Sequence, residues 1–252
     1  MARIPVALQM YTVRNQLKED FDGTFRKVGR IGYAGVELTG IGPHTAKELK
    51  AFLDDLNLKV AGCHVGLGAL QGDLDRVLDE NLALGNSYLV CPALPQDRRG
   101  DEGCYVETAR LLNEIGAKCR TRGLRLCYHN HSFEFQKFRG KNALDVLYES
   151  SDPDLVQAEI DTYWVQHGGE DPAAYIRKYA GRCPLVHLKD MEAGEERFFA
   201  EVGEGIMDFD SIFEASEKGG VAWYIVEQDQ CRRDPLDSAR LSFENLRRMG
   251  KA

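Results

Sequence analysis

A single α/β domain spanning residues 1–252, closed as an eight-stranded (β/α)8 TIM barrel, is the fold this sequence predicts. Three observations support it. Short apolar runs rich in β-branched residues recur at similar spacing, each leads into a segment with helical punctuation, and no linker or low-complexity stretch interrupts the series. The runs begin near Ile4 (IPVALQM), Ala34 (AGVEL), Leu58 (LKVAGCHV), Asn86 (NSYLVCP), Leu124 (LRLCYHNH), Leu155 (LVQAEID), Pro184 (PLVHLKD) and Ala222 (AWYIVEQ). Each step leaves room for one strand, one helix and two short loops. Parallel strands joined by helical crossovers must be covered on both faces, and eight in about 250 residues is the size at which such a sheet closes. An open doubly wound sheet would carry a glycine-rich turn after its first strand. Here that strand runs into QMYTVRNQ, with neither GxGxxG nor a Walker A motif.

The intervening helices are marked at their ends. Thr45-Ala46-Lys47-Glu48 has capping-box spacing ahead of LKAFLDDL, whose Leu49, Phe52, Leu53 and Leu56 form one apolar stripe. Leu111, Leu112 and Ile115 belong to a longer helix that stops at Gly123. Asp171-Pro172 offers an N-cap followed by proline at the first helical position, before AAYIRKYA. Asp208 caps FDSIFEASEK, which Gly219-Gly220 ends, and the last helix, LDSARLSFENLRRM, carries Arg247 and Arg248 at its C-terminal end.

Composition excludes several classes. No apolar run approaches the roughly 20 residues of a membrane helix, and the N-terminus lacks a signal-peptide core and cleavage site. Forty acidic against 32 basic residues give a net charge of -8, which disfavours nucleic-acid partners. The seven cysteines are odd in number and form no CxxC, so free thiols in a reducing, cytoplasmic setting are expected. The expected partner is a small molecule, with no membrane and with homo-oligomer formation left open.

Catalysis in such a barrel belongs at the C-terminal strand ends. Of six histidines, His64, His129, His131 and His187 fall at or near such ends, whereas His44 and His167 read as solvated loop residues. Asp161 ends the sixth strand on the same face as Glu159, His187 and Lys189 share a face of the seventh, and Glu227 ends the eighth. Asp161, His187 and Glu227 thus converge, and a strand-five residue, His129 or His131, completes the set. Mixed nitrogen and oxygen ligands suit a divalent ion such as Mn2+, Mg2+, Co2+ or Zn2+. Gln9 and Tyr11 on strand one, Glu37 on strand two and His64 on strand three read as substrate-binding, as does Trp164, an aromatic platform for a sugar ring or, alternatively, a seal of the barrel top.

The segments LQMYTVR, YHNHSFEF, EIDTYWVQHGGEDP, VHLKDM and VGEGIMDF resemble the sugar phosphate isomerase/epimerase family of xylose isomerase-like TIM barrels, over nearly the whole chain. The resemblance implies one divalent metal, often Mn2+, held by strand-end Glu, Asp, His and Glu. Asp161, His187 and Glu227 match the last three positions. The chain departs at the first, where His129-Asn130-His131 stands in place of a Glu-Asn-His run, which puts His129 in the ligand slot. In relatives two metal-binding glutamates face each other across the substrate and exchange a proton. Here only Glu227 remains, and His131 and Glu134 become the candidates for a second base, His131 through an imidazole titrating near neutral pH. Glu134 alternatively pairs with Lys137 or Arg139, and Glu204 of the VGEGIMDF loop is within possible reach of the rim.

The chemistry implied is proton abstraction beside a metal-bound carbonyl, through an enediolate. Lys189 adds positive charge near that oxygen, or pairs with Asp190 or Glu227. The outcome is isomerisation or epimerisation of a sugar, keto-sugar or polyol. The alternative is a lyase, such as a dehydratase of an inosose-like or 3-keto substrate, a course the missing glutamate favours. No basic pocket is evident, so a neutral substrate is expected. Two remoter readings are an endonuclease, which the -8 charge opposes, and a non-catalytic barrel that has lost a ligand.

Overall fold

The computed structural model describes residues 3–252. Eight parallel strands close into a barrel in which each strand pairs with its neighbour in sequence. They are β1 (Val6–Gln9), β2 (Gly35–Leu38), β3 (Lys59–His64), β4 (Tyr88–Cys91), β5 (Arg125–His129), β6 (Val156–Asp161), β7 (Leu185–Leu188) and β8 (Trp223–Val226). All eight runs expected from the sequence are strands. Two short antiparallel pairs decorate the loops, Lys137–Phe138 with Lys141–Asn142 and Asp190–Met191 with Phe199–Ala200.

The helical signals act as expected. Thr45 forms a full capping box with Glu48 on the helix Ala46–Asp55. Asp171 caps Pro172–Lys178 ahead of its first-turn proline, and Asp208 caps Phe209–Gly219, which ends on left-handed Gly220. The long helix Glu102–Thr121 stops just before Gly123, whose φ is 80°. Among the described residues no helix is long and apolar enough to cross a membrane, and the seven cysteines are unpaired.

Strand alternation divides the core in two. Outward side chains such as Leu8, Val36, Leu126, Tyr128, Ile160, Val186 and Tyr224 or Val226 pack against the helices. Inward ones, Ala7, Ala61, Val90, Cys127, Leu185 and Ile225, fill the barrel interior. One further inward step along each strand, the chemistry changes from apolar to charged. Ala7 gives way to Gln9, Cys127 to His129, Leu185 to His187 and Lys189, and Ile225 to Glu227. The interior therefore runs from an apolar bottom to a polar top at the C-terminal strand ends.

Candidate metal centre

Two stacked groups of side chains occupy that polar top, and His187 belongs to both. The upper group is His129, Asp161, His187 and Glu227, and the lower is Glu37, His64, Glu159 and His187. In each group the candidate ligand atoms lie within 4.8 Å of one another.

In the upper group, local structure decides which atoms point inward. Asp161 N-caps the helix Thr162–His167. Its Oδ1 accepts the Trp164 N–H at 3.0 Å, which leaves Oδ2 facing the interior. The Asp161 N–H in turn donates to Asn130 Oδ1 at 3.0 Å. His129 Nδ1 lies 3.1 Å from the Pro92 carbonyl, which can only accept, so Nδ1 carries the hydrogen. His129 Nε2 then faces Asp161 Oδ2 at 3.2 Å. His187 Nε2 lies 2.7 Å from the Glu37 carboxylate, again a pure acceptor, and its Nδ1 faces Glu227 Oε2 at 2.9 Å and Asp161 Oδ2 at 3.8 Å. Two imidazole nitrogens and two carboxylate oxygens thus converge, and in each ring the far nitrogen has an acceptor of its own.

Lys189 closes the upper group. Its side chain is fully buried, and Nζ reaches Asp161 Oδ2 at 2.9 Å, Glu227 Oε2 at 2.6 Å and Asp229 Oδ2 at 2.7 Å. It pairs with Glu227 as foreseen but not with Asp190. With both histidines neutral, as ligands are, three carboxylates less one ammonium leave two negative charges, which one divalent ion would offset. The donor set, its burial and its charge therefore fit such an ion, with His129, Asp161, His187 and Glu227 as the residues to hold it. Burial alone would raise the Asp161 pKa, but the Lys189 charge and the His129 hydrogen bond hold it at about 2. Burial opposes charge on Lys189, yet the three carboxylates raise its pKa well above the usual lysine range.

A cavity of about 300 Å3 opens above this group, lined by Tyr11, Thr39, His64, Pro92, Ala93, His129, His131, Glu227 and Asp229. No lysine or arginine lines it. The nearby Arg14 is committed, donating to the Tyr11 and Asp229 carbonyls at 2.9 Å each and lying over the Tyr11 ring.

The structure corrects several expectations. His131 lines the cavity, but burial first, then the charges of His129 and Lys189, push its pKa down to about 2. It is a neutral imidazole, not a base poised near neutrality. Glu134 is fully buried on the outer side of the barrel wall. It accepts the Tyr128 hydroxyl at 2.5 Å and the His131 N–H at 2.9 Å, and it pairs with neither Lys137 nor Arg139. It anchors the turn that carries His131 and cannot reach substrate. Glu37 and Gln9, expected at the substrate, are likewise fully buried beneath the cavity and are not among its lining residues. Glu37 sinks there because β2 and β3 shift register beside it, and a side chain on the facing Gly62 would lie 2.5 Å from its Oε1. Trp164 stands behind His131 and against Phe199 rather than among the cavity-lining residues. His44 and His167 are half-buried; His44 bonds Asp22 at 2.7 Å, and His167 closes a helix. Glu204 turns to Asn245 at 2.8 Å, away from the rim.

Tyr11 and His64 do line the cavity. Asp229 and Glu159 carry more of the site than sequence reasoning assigned them. Both continue a period-two inward pattern, Asp229 from Glu227 and Glu159 before Asp161. His64 Nε2 lies 2.8 Å from Glu159 and 3.2 Å from Glu37; burial would lower its pKa, but those carboxylates raise it to about 10.

The family profile of xylose isomerase-like TIM barrels matches residues 25–249. The chain belongs to this family. It is 26% identical over 258 aligned positions to an inosose dehydratase of Lacticaseibacillus casei, covering 87% of this chain and 86% of that protein. An inosose dehydratase of Clostridium tetani is 30% identical, over 54% of this chain and only 51% of its own length. A sugar phosphate isomerase/epimerase from Parabacteroides distasonis superposes with a TM-score of 0.84 at 24% identity, over 98% of this chain and 94% of that one. This xylose isomerase-like barrel thus sits among enzymes named for isomerisation, epimerisation or dehydration.

Proposed function

We propose that the protein is a divalent-metal-dependent enzyme that enolises a neutral keto-sugar or keto-polyol and completes the reaction on one face of the substrate, as a dehydratase does. A single observation carries this reading: the carboxylates that line the cavity beside the candidate metal centre, Glu227 and Asp229, both lie just beyond β8, with the Lys189 ammonium buried against both. The other ionisable side chains of the lining, Tyr11 beyond β1, His64 of β3, His129 of β5 and His131 just beyond it, include no carboxylate, and His64 is held between Glu37 and Glu159. His129 is a candidate ligand, and His131, its pKa pushed down to about 2 by burial, is a poor proton acceptor.

A divalent ion held by His129, Asp161, His187 and Glu227 supplies Lewis-acid polarisation of a carbonyl. Glu227 is placed to take the proton from the neighbouring carbon. Lys189 keeps a positive charge beside it, and Asp229 keeps Lys189 at the cavity side of the site. Two-base epimerisation needs a donor and an acceptor on opposite faces, and carboxylates gathered on one side leave the other without a carboxylate acceptor. Loss of a β-oxygen substituent, or a proton shift along one face, needs only one side. The dehydratase relatives favour the former. The absence of a free cation from the cavity lining supports an uncharged substrate over a phosphate ester.

Mn2+-loaded protein incubated in D2O with inosose-type ketones and 3-keto-glycosides provides the test. A new enone absorbance, with any solvent deuterium in the recovered ketone confined to the carbon that loses its proton, is the expected result. Inversion at that carbon without loss of oxygen would make the protein an epimerase. No exchange with any neutral ketone, and turnover of phosphate esters, would overturn the proposal.

A further inference from the structure

The lower group of buried side chains has no part in the chemistry above, yet it touches the candidate ligand His187 from beneath. Glu37 Oε2 lies 2.7 Å from His187 Nε2, 2.7 Å from Gln9 Nε2 and 3.2 Å from His64 Nε2. The orientation of the Gln9 amide is fixed, because its Oε1 already accepts the Tyr11 N–H at 3.0 Å and its NH2 must therefore point at Glu37. His64 lies between Glu37 and Glu159, its ring stacked on that of His187 with 5.5 Å between centroids. A carboxylate oxygen ringed by three nitrogens at such distances requires each to carry hydrogen; His187 Nδ1, 2.9 Å from Glu227, carries one by the same argument and is the nitrogen that would exchange it for a cation, since only Nδ1 faces the candidate ligands.

We infer that Glu37, steered by Gln9 and backed by the His64–Glu159 pair, is a positioning residue that holds the hydrogen of His187 on Nε2 and so presents Nδ1 to the cation. The inference rests on the metal-centre reading above and extends it to residues beneath the cavity. His187 is gripped at both ends: Nε2 by Glu37 below, Nδ1 among Asp161 and Glu227 above. A carboxylate behind a ligating imidazole fixes its tautomer and ring orientation and raises its basicity, and losing one weakens metal binding by about 10- to 100-fold. The design also explains why Gly62 faces Glu37, since any side chain there would displace the carboxylate from beneath the ring.

The experiment is a Co2+ and Zn2+ titration of the full chain, with the metal content of the loaded protein counted and the histidine tautomers read by long-range 1H–15N NMR of the Zn2+ form. Wild-type protein should bind one ion per chain, with His187 protonated at Nε2 and metallated at Nδ1. Glu37→Gln should keep that stoichiometry and weaken Co2+ binding by about 10- to 100-fold, and Glu37→Asp should recover part of it. Gln9→Leu, which leaves the carboxylate but frees it to turn, should weaken binding less and serves if Glu37→Gln does not fold. An affinity within twofold of wild type in Glu37→Gln, or His187 protonated at Nδ1, would overturn the inference and leave the metal centre standing. Two ions per wild-type chain, one of them lost in Glu159→Gln, would also overturn it by making the lower group a second metal site. Wild-type protein that binds no ion would bring down the metal-centre reading and this inference together.

Discussion

Replacing Lys189 by methionine probes the charge balance of the site directly. The lysine is fully buried, and its ammonium lies 2.9 Å from Asp161, 2.6 Å from Glu227 and 2.7 Å from Asp229. Methionine fills similar space without the charge, leaving three carboxylates against one another. Removing one partner of a buried ion pair costs ~3–5 kcal/mol, because the charge left behind keeps its desolvation penalty. Lys189→Met should fall below the wild type by that amount when melted in EDTA at neutral pH. For a chain of this size each kcal/mol moves the midpoint by ~2–4 °C, so the drop should be roughly 6–20 °C. In the proposed centre a divalent ion would bind two of the same oxygens, and the variant's metal-free site carries one more negative charge. The stabilisation gained per increment of Mn2+, which follows RT ln(1 + [L]/Kd), should therefore be larger in the variant. Calorimetric melts across a Mn2+ series read both halves. An unchanged melting point in EDTA would refute the charge accounting, and a smaller Mn2+ response would show that Lys189 shapes the site rather than counterbalancing it.

Four other perturbations follow from the same geometry. Burial raises the Glu134 pKa to about 7 against hydrogen bonds from Tyr128 and His131 that only partly offset it. The folded state therefore holds this proton more tightly than the unfolded chain. The contribution is fully present below about pH 4.5 and is lost as pH rises towards 7, about 3 kcal/mol in all. Glu134→Gln should flatten that part of the stability–pH curve in urea titrations. Asp190 accepts the N–H groups of Met191 at 2.7 Å, Gly203 at 2.9 Å, Gly205 at 2.8 Å and Met207 at 3.1 Å. Asp190→Ala should cost about 1–3 kcal/mol and open the 203–207 loop to limited proteolysis. Gly205→Ala should open it too, because the added carbon would lie 2.3 Å from the Met191 carbonyl oxygen. His129→Glu should shift the preference of the centre from Zn2+ towards Mn2+ and Mg2+, measured by competition between ions, since it exchanges an imidazole for a harder oxygen donor.

The fold was legible because its signals are local. Each strand is a short apolar run, and Thr45, Asp171 and Asp208 state where helices start within a few residues of chain. The upper group was legible for a related reason: a residue at a strand end is carried to the same rim whatever the loops do, so His129, Asp161, His187 and Glu227 were expected together and are found together. Depth was not legible. Glu37 lies beneath the cavity through a register shift and a glycine on the next strand, neither of which period-two counting reveals. Nor was the outer face of the wall. Glu134 follows a strand end as a catalytic residue would, but the turn Phe133–Phe135 carries it to the outward-facing Tyr128. The state of His131 depends on how many apolar rings surround it, and Phe133 and Trp164 come to it from different loops. The VGEGIM segment was recognised but not its reason, which is that Asp190 gathers its amides.

A closed barrel suits this kind of site because every strand brings an inward side chain to each level. Glu37 and His187 lie 150 residues apart, yet backbone pairing of their strands with their neighbours fixes them at one level without help from the loops. Carboxylates buried this way would be costly singly. Here Asp161, Glu227 and Asp229 share Lys189, Glu37 and Glu159 share His64, and His187 ties the two levels together. The upper level is left short of positive charge on the side where the cavity opens, and the lower level holds His187 by its far nitrogen. Electrostatic preorganisation of this kind needs its groups fixed before substrate arrives. The rim loops set the shape of the cavity, so within one fold they can choose among substrates while the charged levels beneath keep the same chemistry.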